Sequence, residues 1–165
     1  MRIIIFFLCF LCSGILKAQN NFVQKCLGTW EGTMYIYHDS KLRDSVPVNL
    51  LVANTSDTSV WVWRTEYLSE KFPMVKDYKL KVKDRAKNIY LTDEGDGLTL
   101  DNYLVADKMY SLFENGQIFL TASYELRDDK LVFEVTSGKK LTATHPEVNN
   151  YSISDVQRVV FTKMK

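Results

Sequence analysis

The chain has 165 residues with 21 basic and 20 acidic side chains, a formal charge of +1 and 46% hydrophobic residues. That balance supplies no basic field for nucleic acid, and the length suits one ordinary domain that buries its own core without metals or disulfides. With three cysteines and two histidines in all, no metal centre is indicated, because a transition metal needs three or four Cys, His or carboxylate ligands.

The first element is a leader. Arg2 precedes an apolar run from Ile3 to Leu16, followed by Lys17, the small Ala18 and the polar Gln19, Asn20 and Asn21, which is the three-part layout of a secretory signal. The run falls short of the roughly 20 residues of a membrane span. The sequence therefore predicts export to the periplasm or beyond the cell, cleavage after Ala18, a domain over 19–165 and no transmembrane segment. Cys9 and Cys12 sit inside the apolar run and Cys26 follows Val23-Gln24-Lys25, so the sequence predicts no lipid anchor. Loss of Arg2 and Lys17 takes the 21 basic residues to 19 against 20 acidic ones, and the formal charge from +1 to −1. Cys26 is then the only cysteine of the mature chain, which precludes an internal disulfide and favours a buried small hydrophobe over intermolecular pairing or a reactive thiol.

After the leader, runs rich in Val, Ile, Leu, Thr and aromatics alternate with short polar turns, the pattern of a sandwich or barrel. The first, Thr29 to His38, places Trp30, Gly32, Met34 and Ile36 on one face and Glu31, Thr33, Tyr35 and Tyr37 on the other, in period two. A polar stretch from Asp39 to Ser45 closes it. Further runs span Val46 to Ala53, Val60 to Leu68, Met74 to Val82, Ile89 to Thr92, Leu98 to Val105, Met109 to Phe113, Gln117 to Leu126 and Leu131 to Thr136, and a last strand spans Val156 to Lys163. Asn115-Gly116 supplies the positive φ of a two-residue hairpin, and Glu94-Gly95-Asp96-Gly97 and Arg127-Asp128-Asp129-Lys130 read as loops. Thr65 to Phe72 is the best helical candidate, a turn or two ending at Pro73. These elements predict an all-β fold, a single antiparallel up-and-down barrel of about 8–10 strands with little helix, because closure removes the sheet edges. An open sandwich is the competing architecture.

The segment Leu27-Gly28-Thr29-Trp30 carries a Gly-x-Trp at the start of the first strand, and Arg158 lies in the last strand. This pairing resembles the lipocalins and the wider calycin group, especially the short lipocalin-like proteins exported by bacteria. In those proteins the Trp plugs the closed end of the barrel and the late Arg packs over it. The resemblance implies a structural role for Gly28, Trp30 and Arg158, with Trp30 and Arg158 in a cation–π contact of about 0.5–2 kcal/mol. Some calycin barrels hold haem through one histidine near the C-terminus; His145 stands in that region, but Pro146 after it marks an exposed loop, and no cofactor is expected.

Neither His38 nor His145 lies in the context of a nucleophile elbow or comparable catalytic motif, so no catalytic residue is assigned and an enzyme is not expected. The acidic turn Asp93-Glu94-Gly95-Asp96 lacks the ligand count of a calcium loop. Trp61, Trp63 and Tyr67 fall on alternate positions of one strand, with Tyr90, Tyr103 and Tyr124 on others. In a barrel wide enough for a ligand these aromatics line an apolar cavity with hydroxyls to fix orientation; in a narrower one they fill the core. Arg64, between Trp63 and Thr65, is predicted to face solvent. The sequence thus points to a barrel that binds a small apolar or amphipathic molecule in its interior. The alternative is a packed barrel acting through its surface as a protein-interaction, inhibitor or immunity module, and an enclosed volume of roughly 300 Å³ or more separates the two.

Overall fold

The computed structural model describes residues 22–143 and 145–165; the predicted leader and its predicted cleavage point lie outside the described residues. A short helix α1 (Phe22–Cys26) leads into β1 (Gly28–His38), β2 (Lys41–Asn54), β3 (Val60–Tyr67), β4 (Met74–Asp84), β5 (Ile89–Asp93), β6 (Thr99–Val105), β7 (Lys108–Asn115), β8 (Ile118–Arg127), β9 (Lys130–Lys139) and β10 (Asp155–Lys163). Each strand pairs antiparallel with the next, and β10 returns to β1, so the sheet closes into an up-and-down barrel. Closure decides against the open sandwich and leaves every strand with two neighbours.

Two local readings change. Asp39 and Ser40 adopt φ values of 46° and 62°, the left-handed pair of a two-residue hairpin. The polar stretch from Lys41 to Ser45 is therefore not a loop but the start of β2, paired with the end of β1. Thr65 to Phe72 forms no helix, because Thr65, Glu66 and Tyr67 continue β3 in register with β4. The described helix is instead α1, too short to show a stripe in the sequence.

Period two sorts the side chains into inner and outer sets, and the inner set is solid at the α1 end. Phe22, Val23 and Cys26 of α1 are buried with Trp30, Leu50, Leu80, Met109, Leu131 and Phe161. Fully burying a side chain of the Leu or Phe kind contributes about 1.5–3 kcal/mol relative to exposure. The helix is held there by Trp30, whose Nε1 donates to the Cys26 carbonyl at 2.7 Å. Burial in this core pushes the Cys26 thiol up to about 12, against smaller opposing effects of Lys163 and Lys25. Since the thiolate is the reactive form, Cys26 is expected to resist a thiol reagent such as DTNB at pH 8 in the native protein and to react stoichiometrically in denaturant. Fast native labelling would contradict the buried position.

The Gly-x-Trp has a physical reason. Gly28 sits at φ 124°, and a Cβ there would lie 2.8 Å from Lys163 Cε. The cation over the Trp30 ring is Lys163, with Nζ at 5.2 Å from the centroid. Arg158 does not touch Trp30: it lies opposite Tyr35 in the register, points outward and reaches Glu134 at 3.4 Å. Val159 and Phe161 are buried, so alternation sends Arg158 to solvent and returns Lys163 to the level of Trp30, its partner across the β1–β10 ladder.

Candidate functional site

Moving away from α1, the inner face changes character one pleat at a time. On β6 the inward sequence is Leu104, Asn102, Leu100; on β7 it is Met109, Ser111, Phe113; on β8 it is Tyr124, Ala122, Leu120. Ser111 and Ala122 lie directly opposite each other across the β7–β8 ladder. Where Leu and Met fill the closed half, this level offers Thr92, Asn102, Ser111 and Ala122, which are too small to meet in the middle. The result is a cavity of about 160 Å³, lined also by Trp63, Tyr78, Leu100, Phe113, Leu120, Phe133 and Val135 and reaching Lys76 and Glu94. It lies in the half of the barrel remote from α1, beside the turns that join β3 to β4, β5 to β6 and β7 to β8. Its volume is below the 300 Å³ mark, so the interior is part core and part pocket.

The polar groups of this level are mostly committed. Asn102 Nδ2 donates to Thr92 Oγ1 and to the Leu100 carbonyl, both at 2.9 Å. Ser111 Oγ donates to the Asp101 carbonyl at 2.8 Å. At the mouth, Tyr78 donates to Glu94 Oε2 at 2.8 Å, and burial followed by this bond raises its phenol. The Lys76 ammonium lies 5.9 Å from the Tyr67 ring centroid and 5.7 Å from that of Tyr78, close enough for cation–π attraction.

One wall is aromatic. Trp63 meets Tyr124 edge-on at 5.1 Å, and Tyr124 stacks on Phe133 at 4.4 Å, geometries that favour rigid packing. Burial raises the Tyr124 phenol, with Trp63 and Thr65 opposing the shift in part. Trp63 Nε1 is buried and makes no hydrogen bond of ordinary geometry, although the indole lies close enough to the Tyr124 hydroxyl to offset part of the rise in its phenol.

Of the six aromatics singled out in the sequence, Trp63 and Tyr124 line the cavity. Trp61 and Tyr90 pack together in the closed half at 6.3 Å, and Tyr67 is a partly buried neighbour of the core. Tyr103 is not inside at all, being 47% exposed: in β6 it is the polar Asn102 and Leu104 that face inward, so alternation turns Tyr103 out. Arg64 does face away from Trp63, pairing with Glu66 at 2.9 Å.

The histidines lie elsewhere. His38 Nδ1 is 2.7 Å from Asp155 Oδ1, and its Nε2 is 3.4 Å from Asp39. The Ser154 hydroxyl donates to Asp155 Oδ2 at 2.8 Å, with Ser137 Oγ at 3.4 Å from the same oxygen. Both serines thus bond the carboxylate rather than the imidazole, which is not the order of a nucleophilic triad. His38 first and Ser154 next hold the Asp155 carboxyl below the usual range. His145 is exposed, its Nδ1 accepting from the Glu147 N–H at 3.2 Å. In the acidic turn, Asp93 binds Lys81 at 2.6 Å and the Gly95 N–H at 2.9 Å, and Asp96 accepts from the Leu98 N–H at 2.9 Å. Among the described residues no group of three or more His, Cys, Asp or Glu is placed to hold a metal, and no helix is long and apolar enough to cross a membrane. Outside the barrel, Thr33, Tyr35, Tyr37, Arg158 and Val160 form a groove of about 420 Å³ across β1 and β10.

No family model and no curated protein matches the sequence. Solved structures do share the architecture. A protein of unknown function from the DUF3598 family of Nostoc punctiforme superposes with a TM-score of 0.61 at 13% identity over 86% of this chain; this chain spans only 49% of that one. The S-type phycobiliprotein lyase CPES from Guillardia theta gives 0.62 at 9% identity, covering 88% of this chain and 92% of the lyase. A mutant of the fluorescent protein UnaG gives 0.50 at 17% identity, covering 87% and 99%. With the closed barrel, these likenesses establish a lipocalin-like fold.

Proposed function

We propose that this is an exported lipocalin-like protein that binds a small amphipathic molecule, about one ring in size, in the half of the barrel remote from α1. The observation that carries the reading is the level of Thr92, Asn102, Ser111 and Ala122, which opens about 160 Å³ inside the barrel. An engineered apolar cavity of about 150 Å³ holds benzene, so the space suits a molecule of that order. Apolar walls with a few convergent polar groups are the usual composition of a ligand site. Two of the structural neighbours are a phycobiliprotein lyase and a fluorescent protein, which is in keeping with small-molecule handling on this scaffold. The leader-like composition of residues 1–18 supports delivery outside the cytoplasm.

The test is to fill the pocket. Ala122→Phe is expected to weaken binding of single-ring ligands at least about tenfold while leaving the thermal midpoint within a few degrees, because the added ring occupies free space rather than overpacking a core. Unchanged affinity in the folded variant would overturn the reading. The second reading, a barrel acting through its exterior, rests on the β1–β10 groove, where Tyr35 is 46% exposed. It gains if the wild-type interior takes up no small molecule.

A further inference from the structure

Trp63 is 2% exposed, yet its Nε1 has no hydrogen-bond partner while the residue lines the cavity. Buried indole N–H groups ordinarily find an acceptor, and one left without a partner carries its desolvation penalty uncompensated. Of the other polar side chains lining the cavity, Asn102 and Ser111 have their donors committed: Asn102 Nδ2 to Thr92 Oγ1 and the Leu100 carbonyl, Ser111 Oγ to the Asp101 carbonyl. The neighbouring Tyr124 hydroxyl stays protonated through the physiological range because burial raises its phenol. The cavity lining therefore carries one indole donor without an acceptor, Trp63 Nε1, beside the Tyr124 hydroxyl and the apolar Phe133 and Val135.

We propose that the ligand is a small aromatic carbonyl compound, a ketone, aldehyde or amide, whose oxygen accepts from the Trp63 indole N–H at the inner end of the cavity. The inference rests on the binding reading above and specifies its ligand. A carbonyl oxygen has two lone pairs, so the Tyr124 hydroxyl can share it. A carboxylate is disfavoured in that position: the donors there are neutral, and an ionised group taken out of water needs a charged partner. The cation that the cavity does possess, Lys76, stands at the mouth over the Tyr67 and Tyr78 rings, alongside the carboxylate of Glu94. With one charge of each sign, the mouth selects weakly for the charge of the ligand's outer end, and the acceptor at the inner end is the discriminating feature.

Acetophenone and isopropylbenzene have nearly the same shape and differ in that acceptor. Their affinities for the wild-type protein and for Trp63→Phe, measured by calorimetry, isolate the hydrogen bond as a ratio, because the difference in their escape from water cancels. The preference for acetophenone is expected to fall about tenfold in Trp63→Phe. In the wild-type protein alone, the Trp63 indole N–H resonance is expected to move downfield with acetophenone and not with isopropylbenzene, which keeps the test independent of how the variant folds. An unchanged ratio, or equal movement of the indole resonance with both compounds, overturns the carbonyl assignment and leaves cavity binding standing. If neither compound enters the wild-type barrel, the binding reading falls with it.

Discussion

Trp30→Ala is expected to destabilise the barrel by about 3–5 kcal/mol, the usual range for deleting a buried Trp side chain. Three losses coincide at this residue. The indole is buried between the strands and α1, its Nε1 anchors the Cys26 carbonyl at 2.7 Å, and its face carries the Lys163 ammonium at 5.2 Å. Trp30→Phe keeps most of the packing and is expected to lose about 1 kcal/mol for the unmade bond to Cys26. The same site separates the two candidate cations. Lys163→Met should cost about 0.5–1 kcal/mol, the usual worth of a cation–π contact at an exposed position. Arg158→Ala should change stability by less than about 1 kcal/mol, since its partner is an exposed Glu134. Urea unfolding of the four variants measures all of this, and an Arg158 effect larger than that of Lys163 would contradict the geometry.

Gly138→Ala is the second large effect, expected to destabilise by about 1–3 kcal/mol or more. Gly138 lies near the end of β9, where the chain returning toward β10 is laid against it, and a Cβ would run into the Ser152 carbonyl. The returning segment has little room to retreat. Ser152 N–H donates to the Lys139 carbonyl at 2.8 Å, Ser154 N–H to the Ser137 carbonyl at 2.9 Å, and Lys139 N–H to Ser152 Oγ at 2.9 Å. Displacing it also separates Tyr151 from Phe119, whose rings are 4.8 Å apart. Hydrogen exchange should therefore show lost protection at the Ser152 and Ser154 amides first, with the α1 end of the barrel unaffected. A variant as stable as wild type, with those amides still protected, would mean that the backbone contact is not rigid.

Much of the fold was legible because a closed antiparallel barrel is built from the signal that sequence carries best, alternation of side chains with turn residues between. Trp30, Met34, Trp61, Trp63, Val159 and Phe161 all face inward as period two requires. The same rule applied to β10 also separates Arg158 from Trp30: with Val159 and Phe161 buried, the inward cation is Lys163. The family resemblance favoured Arg158, and the parity of the strand contradicts it. What the strands conceal singly is the cavity. It arises from small side chains on four strands, Thr92, Asn102, Ser111 and Ala122, meeting at one height, and that coincidence depends on the register between strands rather than on any run of residues. Tyr103 illustrates the converse, an aromatic turned to solvent while a hydrogen-bonded asparagine takes the inner position. The orphaned Trp63 N–H likewise follows from three-dimensional placement, since nothing in the stretch around it marks a missing partner.

The central claim is that the half of the barrel remote from α1 admits a small molecule. The most direct measurement is a titration of the uniformly labelled protein with single-ring compounds, followed by backbone and indole NMR resonances. The account predicts saturable shifts confined to residues lining the cavity, including Trp63, Ser111, Ala122 and Tyr124, with the Trp30 indole and α1 undisturbed. Shifts clustered instead on Tyr35, Tyr37 and Arg158 of the outer groove, or none inside the barrel, would contradict it.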